Sequence, residues 1–312
     1  MAIGYLGKNL RFHLADNIPE VDLRVLLYEI SSCARYINMV IKDANRGLAG
    51  GSNAYGEQQM ALDVMADTIM QDRFRRSMVV SEFASEENED IVGFSHTRGN
   101  YSVTVDPLDG SSLIDVNLTI GSIVGVHESK RIVEPNSIVA AMFVLYGPLT
   151  TLVYAVKGLG VHEFVLNPAG EFTLARERMT VKQKGSIMAP GGLERDWTPG
   201  HAAYITELRK RGYKLRYSGG MVPDINQILV KGGGVFCYPA MKNAPNGKLR
   251  LLFENQPMAF IMEEAGGMAS TGTGPILDVK PEGITHATPL YIGSKDEVLL
   301  AEEILAKHAG HA

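Results

Sequence analysis

The chain has 312 residues, enough for one large domain or two ordinary ones. Hydrophobic residues make up 45% and charged residues 21%, a balance that excludes a disordered protein. The net charge of −5 argues against a nucleic-acid binder, which normally carries a basic stripe. No apolar run reaches the roughly 18 residues that a membrane helix needs, and the N-terminus lacks a secretory signal pattern. We therefore expect a cytoplasmic protein that binds neither nucleic acid nor membrane.

The first part of the chain predicts two long helices. Apolar residues recur with helical spacing over residues 20–44. Residues 56–72 predict a second amphipathic helix, with Met60, Val64 and Met65 on one face.

From Tyr101 to about Ala175 the pattern changes to short β-rich runs separated by Gly, Pro or Asn. Their short connections favour an antiparallel sheet. The runs are YSVTVD, LTIGSIVGVHE, SIVAAMFVLYG, TTLVYAVKG, GVHEFVLN and GEFTLA.

Beyond about residue 180, helical and extended patterns alternate, which is typical of an α/β layer. The helical ranges are 200–211, 223–231, 257–265 and 295–307, and the extended runs are YKLRYSG, GVFCYP and LYIGS. The polar stretch RERMTVKQKG at 176–185 is the expected boundary between the two parts. Cys33 and Cys237 lie in apolar surroundings and are expected to be buried thiols.

The segment VDPLDGSSLID, residues 105–115, concentrates carboxylates around a glycine-serine turn. The alternation before it predicts a strand that ends at Asp106, because Pro107 cannot continue the ladder. Asp109 then falls in a turn, and the Leu108 carbonyl is free to point the same way. Such oxygens suit Mg²⁺ or Mn²⁺, and the N–H groups of the Gly-Ser-Ser turn suit an anion. An ordinary turn with Asx hydrogen bonds has the same pattern, so this segment alone leaves both interpretations open.

Other acidic residues are ambiguous in the same way. Glu86 and Glu87 are adjacent, as in many solvated surface pairs. Glu57 and Asp63 bracket the start of the second helix as ordinary helix-face charges would. Glu254 differs, because it lies in the apolar segment RLLFENQPMAF and needs a partner there. No spacing rule joins these segments into one site.

Three segments resemble the class I fructose-1,6-bisphosphatases: DPLDGSS at 106–112, ASEE at 84–87 and GKLRLLFENQPMA at 247–259. That family belongs to the lithium-sensitive, magnesium-dependent phosphatases, and the resemblance runs from about residue 20 to residue 300. It implies a layered αβαβα sugar-phosphatase fold of the α+β and α/β classes. The resemblance implies an N-terminal α+β metal-binding domain with the antiparallel sheet (1–178). A C-terminal α/β sugar-phosphate-binding domain with a mixed sheet would follow (179–312).

A second resemblance divides the chain between two sister families. LRYSGGMVPDINQILVK (215–231), AAMFVLYGPLTTLVYAVKG (140–158) and MAPGGLER (188–195) are more similar to sedoheptulose-1,7-bisphosphatase. CYPAMKNAPNGK (237–248) is similar to fructose bisphosphatase instead.

The resemblance implies a role for each residue that matches the family's motifs. It implies two or more Mg²⁺ ions per subunit, or Mn²⁺, held by Glu86, Asp106, the Leu108 carbonyl, Asp109, Glu254 and, for a further metal or its loop, Glu57. Asp63 and Glu87 would activate the attacking water. The substrate would contact Gly110, Ser111, Ser112, Tyr217, the Met221 backbone, Tyr238 and Lys248. Arg216 would reach into a neighbouring subunit's site, which implies a homo-oligomer and, in this family, a tetramer.

The implied reaction is removal of the 1-phosphate from D-fructose 1,6-bisphosphate, as in gluconeogenesis or Calvin-type metabolism. Sedoheptulose 1,7-bisphosphate is the alternative or second substrate. An inositol monophosphatase has no distal phosphate to bind, so it would leave four residues without a purpose: Arg216, Tyr217, Tyr238 and Lys248. A non-catalytic sugar-phosphate sensor would be expected to have lost some of the metal ligands, all of which are present.

The chain departs from the fructose family at three places. Residues 190–193 read Pro-Gly-Gly-Leu where an Asn-Glu-Gly-Tyr-like segment is usual, and Leu113 stands where Asn is common. The family's AMP site retains Tyr101, but Asn100 replaces a lysine and Glu128 replaces an arginine. An acidic residue beside a nucleotide phosphate would repel it, so we expect no tight AMP inhibition.

Overall fold

The computed structural model describes residues 7–44, 54–95, 97–134 and 137–308, without the side chains of residues 44 and 54–60. Its elements form five layers in the order helices, sheet, helices, sheet, helices. The layered αβαβα fold predicted from the sequence is therefore confirmed. Within the described ranges, no helix combines the length and apolar character needed to cross a membrane.

The helices are α1 Leu10–Asn17, α2 Val21–Ala44, α3 Ala54–Ser77, α4 Pro199–Lys210, α5 Met221–Lys231, α6 Gln256–Glu264 and α7 Lys295–His308. The strands of the first sheet are β1 Val80–Ser85, β2 Val92–Gly93, β3 Tyr101–Asp109, β4 Ile120–His127, β5 Ile138–Tyr146, β6 Thr150–Val156, β7 Gly160–Leu166 and β8 Phe172–Met179. Those of the second are β9 Ile187–Pro190, β10 Lys214–Leu215, β11 Val235–Tyr238, β12 Met268–Ser270 and β13 Leu290–Gly293.

The first sheet has the order β2-β1-β3-β4-β5-β6-β7-β8. From β3 to β8 each strand pairs antiparallel with the next, as the short connections predict. Only the β1–β3 pair of this sheet, among the described strands, is parallel. The second sheet has the order β10-β9-β11-β13-β12 and is mixed, again as predicted.

Among the described residues, three large apolar cores hold the layers together, beside a small fourth cluster around Phe253. The first lies between α1–α3 and one face of the first sheet. The second fills the space between the other face of that sheet, α5, α6 and the second sheet. The third lies under α4 and α7. Cys33 belongs to the first core and Cys237 to the third, so both thiols are buried as expected.

The apolar face of α3 differs from the predicted one. The helix is longer than the predicted range 56–72, and its buried apolar side chains follow a four-residue spacing: Leu62, Ala66, Met70 and Phe74. Val64 and Met65 are 55% and 47% exposed, so their assignment to the packed face is wrong. Because each residue of an α-helix is rotated by about 100° from the one before it, Val64 and Met65 do not lie on the face that carries the buried apolar residues. Met60 lies in α3, but its side chain is outside the described ones.

Some elements gave no clear sequence signal. The short helix α1 and the strands β9 and β12 were not predicted. YKLRYSG was predicted to be extended throughout, but only Lys214–Leu215 pairs in the sheet. The segment then turns, because the Ser218 N–H donates to both oxygens of Asp224 at 3.0 and 3.1 Å.

Candidate active site

The parallel pair β1–β3 brings two acidic segments to one edge of the first sheet. Ser85 is opposite Val105 in this pair, and the Glu86 N–H donates to the Val105 carbonyl at 3.0 Å. Because parallel strands end at the same edge, Glu86 lies next to Asp106. The structure thus joins two segments that no spacing rule connected.

Strand β3 runs through Pro107 to Asp109, so the prediction that it ends at Asp106 is wrong. Its pairing with β4 shifts register between Asp106 and Asp109, which accommodates the missing N–H of Pro107. The Pro107 carbonyl accepts a hydrogen bond from the Ser122 hydroxyl at 2.6 Å. The Leu108 N–H donates to Asp106 Oδ1 at 3.1 Å. Asp109 is therefore a buried strand residue and not a turn residue.

The turn begins at Gly110, whose φ of 76° lies in the left-handed region that glycine adopts at little cost. A short 3₁₀ segment, Ser111–Leu113, follows. Asp109 accepts hydrogen bonds from the N–H groups of Met221 at 3.3 Å and Val222 at 2.7 Å. These are the first residues of α5, where a carboxylate is favourable. The Met221 backbone is predicted to contact a substrate hydroxyl, and its N–H already has a partner in Asp109.

Glu254 reaches the same edge from a π-helical turn, Leu251–Asn255, that leads into α6. Such turns occur often at functional sites. The side chain is 6% exposed and accepts a hydrogen bond from the Arg250 N–H at 2.5 Å. Arg250 Nε also lies 4.0 Å from Glu86 Oε1, which places a cation at the margin of the acidic cluster.

Asp106, Asp109 and Glu254 form the centre of this cluster. One carboxylate oxygen from each lies within 4.8 Å of the others, and all three side chains are buried. They open into a cavity of about 330 Å³. The cavity is lined by Glu86, Glu87, Asp106, Leu108, Asp109, Gly110, Ser111, Ser112, Tyr217, Gly219, Met221, Phe236, Tyr238, Lys248, Leu249 and Glu254. A cavity of similar size beside α2 has no carboxylate in its walls.

The electrostatics of the cluster favour protonation. Burial, followed by repulsion from Glu86 and Asp109, raises the pKa of Asp106 well above its usual range. Burial and then Glu86 do the same to the pKa of Glu254. Burial raises the pKa of Asp109 to about 6, although the two N–H groups of α5 oppose the rise. A group of buried carboxylates stays ionised only if cations join it.

The donor set fits such cations. Every side-chain atom that the three central residues offer is an oxygen, the ligand that Mg²⁺ and Mn²⁺ prefer. Asp63 Oδ1 and Asp67 Oδ1 are buried and have no hydrogen-bond partner among the described residues. Orphaned carboxylate oxygens beside this cluster are consistent with a site built for cations or for water.

Asp63, on α3, lies beside Glu87 and Ser111. Burial and then Glu87 raise the pKa of Asp63 to about 6, and a hydrogen bond from Ser111 opposes the rise. Asp67 follows one helical turn later and accepts a hydrogen bond from Asn88 Nδ2 at 3.1 Å. Burial and then Asp67 raise the pKa of Glu87. Asp67 is a candidate that the sequence analysis missed, and its spacing of four residues from Asp63 is the signal that could have found it.

The opposite side of the cavity is formed by tyrosines. Burial, and then Tyr238, raises the pKa of Tyr217 to about 12, so its hydroxyl stays protonated. Lys248 is exposed at the rim. A Cβ on Gly191 would lie 2.5 Å from the Tyr238 ring and 3.2 Å from the Tyr217 hydroxyl. Gly191 belongs to the Pro-Gly-Gly-Leu segment that departs from the family pattern. Because it has no side chain, both tyrosines can occupy the space beside it.

Leu113, the other departure, packs against the loop before α5. Ideal Cβ atoms on Gly219 and Gly220 would lie 3.2 and 3.3 Å from its methyl carbons. Among the predicted site residues with described side chains, Arg216 and Asp63 are not part of the cavity lining, although Asp63 lies beside Glu87 and Ser111, which are. Arg216 is exposed. Glu57 lies in α3, but its side chain is outside the described ones.

The chain matches both halves of one protein family. "Fructose-1-6-bisphosphatase, N-terminal domain" matches residues 10–177, and "Fructose-1-6-bisphosphatase, C-terminal domain" matches residues 181–306. The chain is 49% identical over 299 residues to a protein named fructose-1,6-bisphosphatase class 1 from Trichlorobacter lovleyi, which covers 95% of each chain. A protein of the same name from Citrifermentans bemidjiense is 50% identical and covers 94% of this chain and 90% of its own length.

The fold is also similar to solved structures. The crystal structure of Leishmania major fructose-1,6-bisphosphatase in holo form aligns with a TM-score of 0.86 and 34% sequence identity. The alignment covers 96% of this chain and 99% of that one. The similarity therefore extends over both sheets and the cavity between them.

Proposed function

Because the chain belongs to the class 1 fructose-1,6-bisphosphatase family, we propose that it hydrolyses the 1-phosphate of D-fructose 1,6-bisphosphate. The products would be fructose 6-phosphate and inorganic phosphate. The observation that carries this proposal is the convergence of Asp106, Asp109 and Glu254 in a cavity whose other wall holds Tyr217 and Tyr238. As a phosphoric monoester hydrolase of carbohydrate metabolism, the protein would serve gluconeogenesis or a Calvin-type pathway.

We propose that the acidic cluster holds two or more Mg²⁺ ions, with Mn²⁺ as the alternative. The ligands would be Glu86, Asp106, the Leu108 carbonyl, Asp109, Glu254 and, for a further ion, Glu57. When bound, these ions would supply the positive charge that offsets the carboxylates and polarises the phosphoryl group. The buried, all-oxygen donor set supports the assignment.

Asp63 and Glu87 would accept the proton of the attacking water. A pKa of about 6 leaves most Asp63 carboxylates ionised at pH 7 and still basic enough to take a proton. Burial and Asp67 raise the pKa of Glu87 in the same direction. As the water oxygen bonds to phosphorus and the bond to the sugar oxygen breaks, one carboxylate accepts a proton from the water, and a proton then passes to the sugar oxygen, so that the sugar leaves as an alcohol.

The remaining residues would bind and orient the substrate. Gly110, Ser111 and Ser112 would present N–H groups to the phosphate that is removed, at the start of the 3₁₀ segment. Tyr217, Tyr238, Lys248 and the Met221 backbone would bind the sugar and its distal phosphate. Binding at the distal phosphate would orient the reacting one. The relatives compared above carry the fructose name, so the sedoheptulose alternative, the inositol phosphatase and the sensor are not favoured.

We propose a homotetramer in which Arg216 serves the site of a neighbouring subunit. Its exposure, away from the cavity of its own chain, supports this role. Exposed apolar residues on α2 and α3, such as Met39 and Met65, offer surface that a second subunit could cover. We also propose the cytoplasm as the location, and a division into domains 1–178 and 179–312. The chain leaves the first sheet at Met179, which supports that boundary.

The test is phosphate release from fructose 1,6-bisphosphate with Mg²⁺, and again with a chelator. We expect turnover with Mg²⁺ and none with the chelator. Sedoheptulose 1,7-bisphosphate, assayed in parallel, should give the smaller kcat/KM. Absence of metal-dependent turnover on either bisphosphate would overturn the proposal.

A further inference from the structure

A second group of potential metal ligands lies at the far end of the first sheet. His13 on α1, His162 on β7 and Glu177 on β8 each offer one ligand atom, and these atoms lie within 4.8 Å of one another. The two imidazoles are fully buried, at 0% and 1% exposure. Four strand spacings of about 4.8 Å separate β3 from β7, so this group lies about 19 Å from the carboxylate cluster. The proposed hydrolysis does not use it.

One distance between ligand atoms in the group already matches a tetrahedral site. Zinc–nitrogen and zinc–oxygen bonds of about 2.0–2.1 Å place neighbouring ligand atoms about 3.3 Å apart. His13 Nε2 and Glu177 Oε1 are already 3.3 Å apart. A ligand atom of His162 lies within 4.8 Å of those of His13 and Glu177, and it would have to move inward to complete three ligands.

The local backbone is irregular where the carboxylate enters. Val161 pairs with Met179 and Glu163 with Arg176, so β8 has two residues opposite His162. A bulge of this kind redirects side chains and is common beside functional sites.

The hydrogen bonds of the two imidazoles leave each with a nitrogen that can bind a metal ion. His13 Nδ1 is hydrogen-bonded to the Tyr154 hydroxyl at 2.7 Å, an outer contact that can fix the ring with Nε2 towards Glu177. His162 makes only long contacts, 3.3 Å to the Leu159 carbonyl and 3.4 Å to the Arg178 N–H, and could exchange one for a metal bond. Burial lowers the pKa of both histidines.

We propose that His13, His162 and Glu177 form a binding site for a zinc-like divalent transition-metal ion. Two imidazoles and one carboxylate are a common zinc donor set. The Glu177 side chain is 54% exposed, so water can reach the fourth position. Because the three residues lie on different elements, the ion joins α1 to the β7–β8 hairpin.

The probe is Co²⁺, added to the full-length protein in excess Mg²⁺. Tetrahedral Co²⁺ with imidazole ligands absorbs visible light far more strongly than Co²⁺ in an octahedral oxygen site. None of the residues that line the carboxylate cavity is a histidine, so a strong band reports on a histidine site outside that cavity, and the Glu177 variants decide whether it is the proposed one. We expect a saturable band that Zn²⁺ removes.

Substitutions of the exposed ligand test the assignment without disturbing the core. Glu177→Gln should weaken Co²⁺ binding more than about 10-fold. Substitution of a residue that only hydrogen-bonds to a metal ligand already lowers metal affinity by about that factor. Glu177→His should restore the band, because imidazole is again a ligand. Glu171→Gln, an exposed carboxylate at the start of β8, is the matched control and should bind as the unchanged chain does.

Absence of a strong band overturns the proposal. So does a band that Glu177→Gln leaves unchanged, because the ion would then be held elsewhere. Phosphate release with Mg²⁺ is measured separately, so loss of this site and loss of the proposed hydrolysis are distinguishable.

Discussion

The two walls of the cavity are built in different ways. The acidic wall, with Asp106, Asp109 and Glu254, is buried and anchored by strand register and the first turn of α5. The opposite wall, with Tyr217 and Lys248, lies on exposed loops around the second sheet. The buried wall concentrates like charges and is costly without cations, whereas the exposed wall is polar and needs no cation. The difference separates the chemistry from the recognition of the sugar, and each wall can be tested alone.

The largest effect is expected from the acidic wall. Asp106→Asn keeps the shape of the side chain but removes its charge from the centre of the cluster. We expect kcat for phosphate release with Mg²⁺ to fall by about 10³-fold or more. Asp115→Asn, an exposed carboxylate in the same segment, should leave kcat unchanged. A kcat for Asp106→Asn within a few-fold of the unchanged chain would contradict the proposed metal site.

A second test measures how much the buried carboxylates lower the free energy of unfolding when they are ionised. Burial raises the pKa of Asp63 from 3.8 to about 6, so between these pH values the folded chain binds more protons than the unfolded chain. The free energy of unfolding should therefore fall as pH rises through this window, with Asp63 contributing up to about 3 kcal/mol. Denaturant unfolding in a chelator at several pH values measures this loss.

Added Mg²⁺ should restore stability at neutral pH, and Asp63→Asn should flatten the dependence in the chelator. A chelated protein that is as stable at neutral pH as at pH about 5 would argue against a repulsive cluster.

A smaller effect is expected from the exposed wall. Gly191→Ala would place a methyl group 2.5 Å from the Tyr238 ring and displace it. We expect KM for fructose 1,6-bisphosphate to rise by about 10-fold with little change in kcat, because the contact lies away from the reacting phosphate. Gly283→Ala, where a Cβ would meet nothing within 4 Å, is the matched control. A fall in kcat with KM unchanged would remove the distinction between the two walls.

The sequence predicted the layers well and the site only in part. Alternation and short turns were enough for the meander β3–β8, because each strand pairs with the next one along the chain. Glu86 and Asp106 lie close together because β1 and β3 pair in parallel. No local sequence pattern indicates this long-range pairing. Only resemblance to a family could join these segments in advance.

Local rules failed where tertiary contacts decide. Pro107 was expected to end its strand, but a register shift and the Ser122 hydroxyl accommodate it. Asp67 was missed, because its burial beside Asn88 depends on how α3 packs on the first sheet. Val64 and Met65 were assigned to the buried face of α3, but the apolar side chains buried there are Leu62, Ala66, Met70 and Phe74.

The smallest effect concerns Tyr101, which contrasts with the tyrosines of the cavity. Its pKa is raised by burial and then by the carboxylates of Glu128, Glu20 and Asp22, whereas the cavity of Tyr217 and Tyr238 contains Lys248 as well as carboxylates. A phosphate beside Tyr101 would be repelled by those carboxylates.

We therefore expect AMP at micromolar concentrations to leave phosphate release unchanged. Glu128→Arg replaces repulsion with attraction and should be the more sensitive variant. Strong inhibition of the unchanged chain by AMP, lost on Tyr101→Phe, would mean that the three carboxylates do not control anion binding there. If AMP inhibits neither the unchanged chain nor Glu128→Arg, charge repulsion is not what prevents AMP binding beside Tyr101. The shape of the protein there would then exclude the phosphate, because reversing a neighbouring charge must alter binding at any site that can admit it.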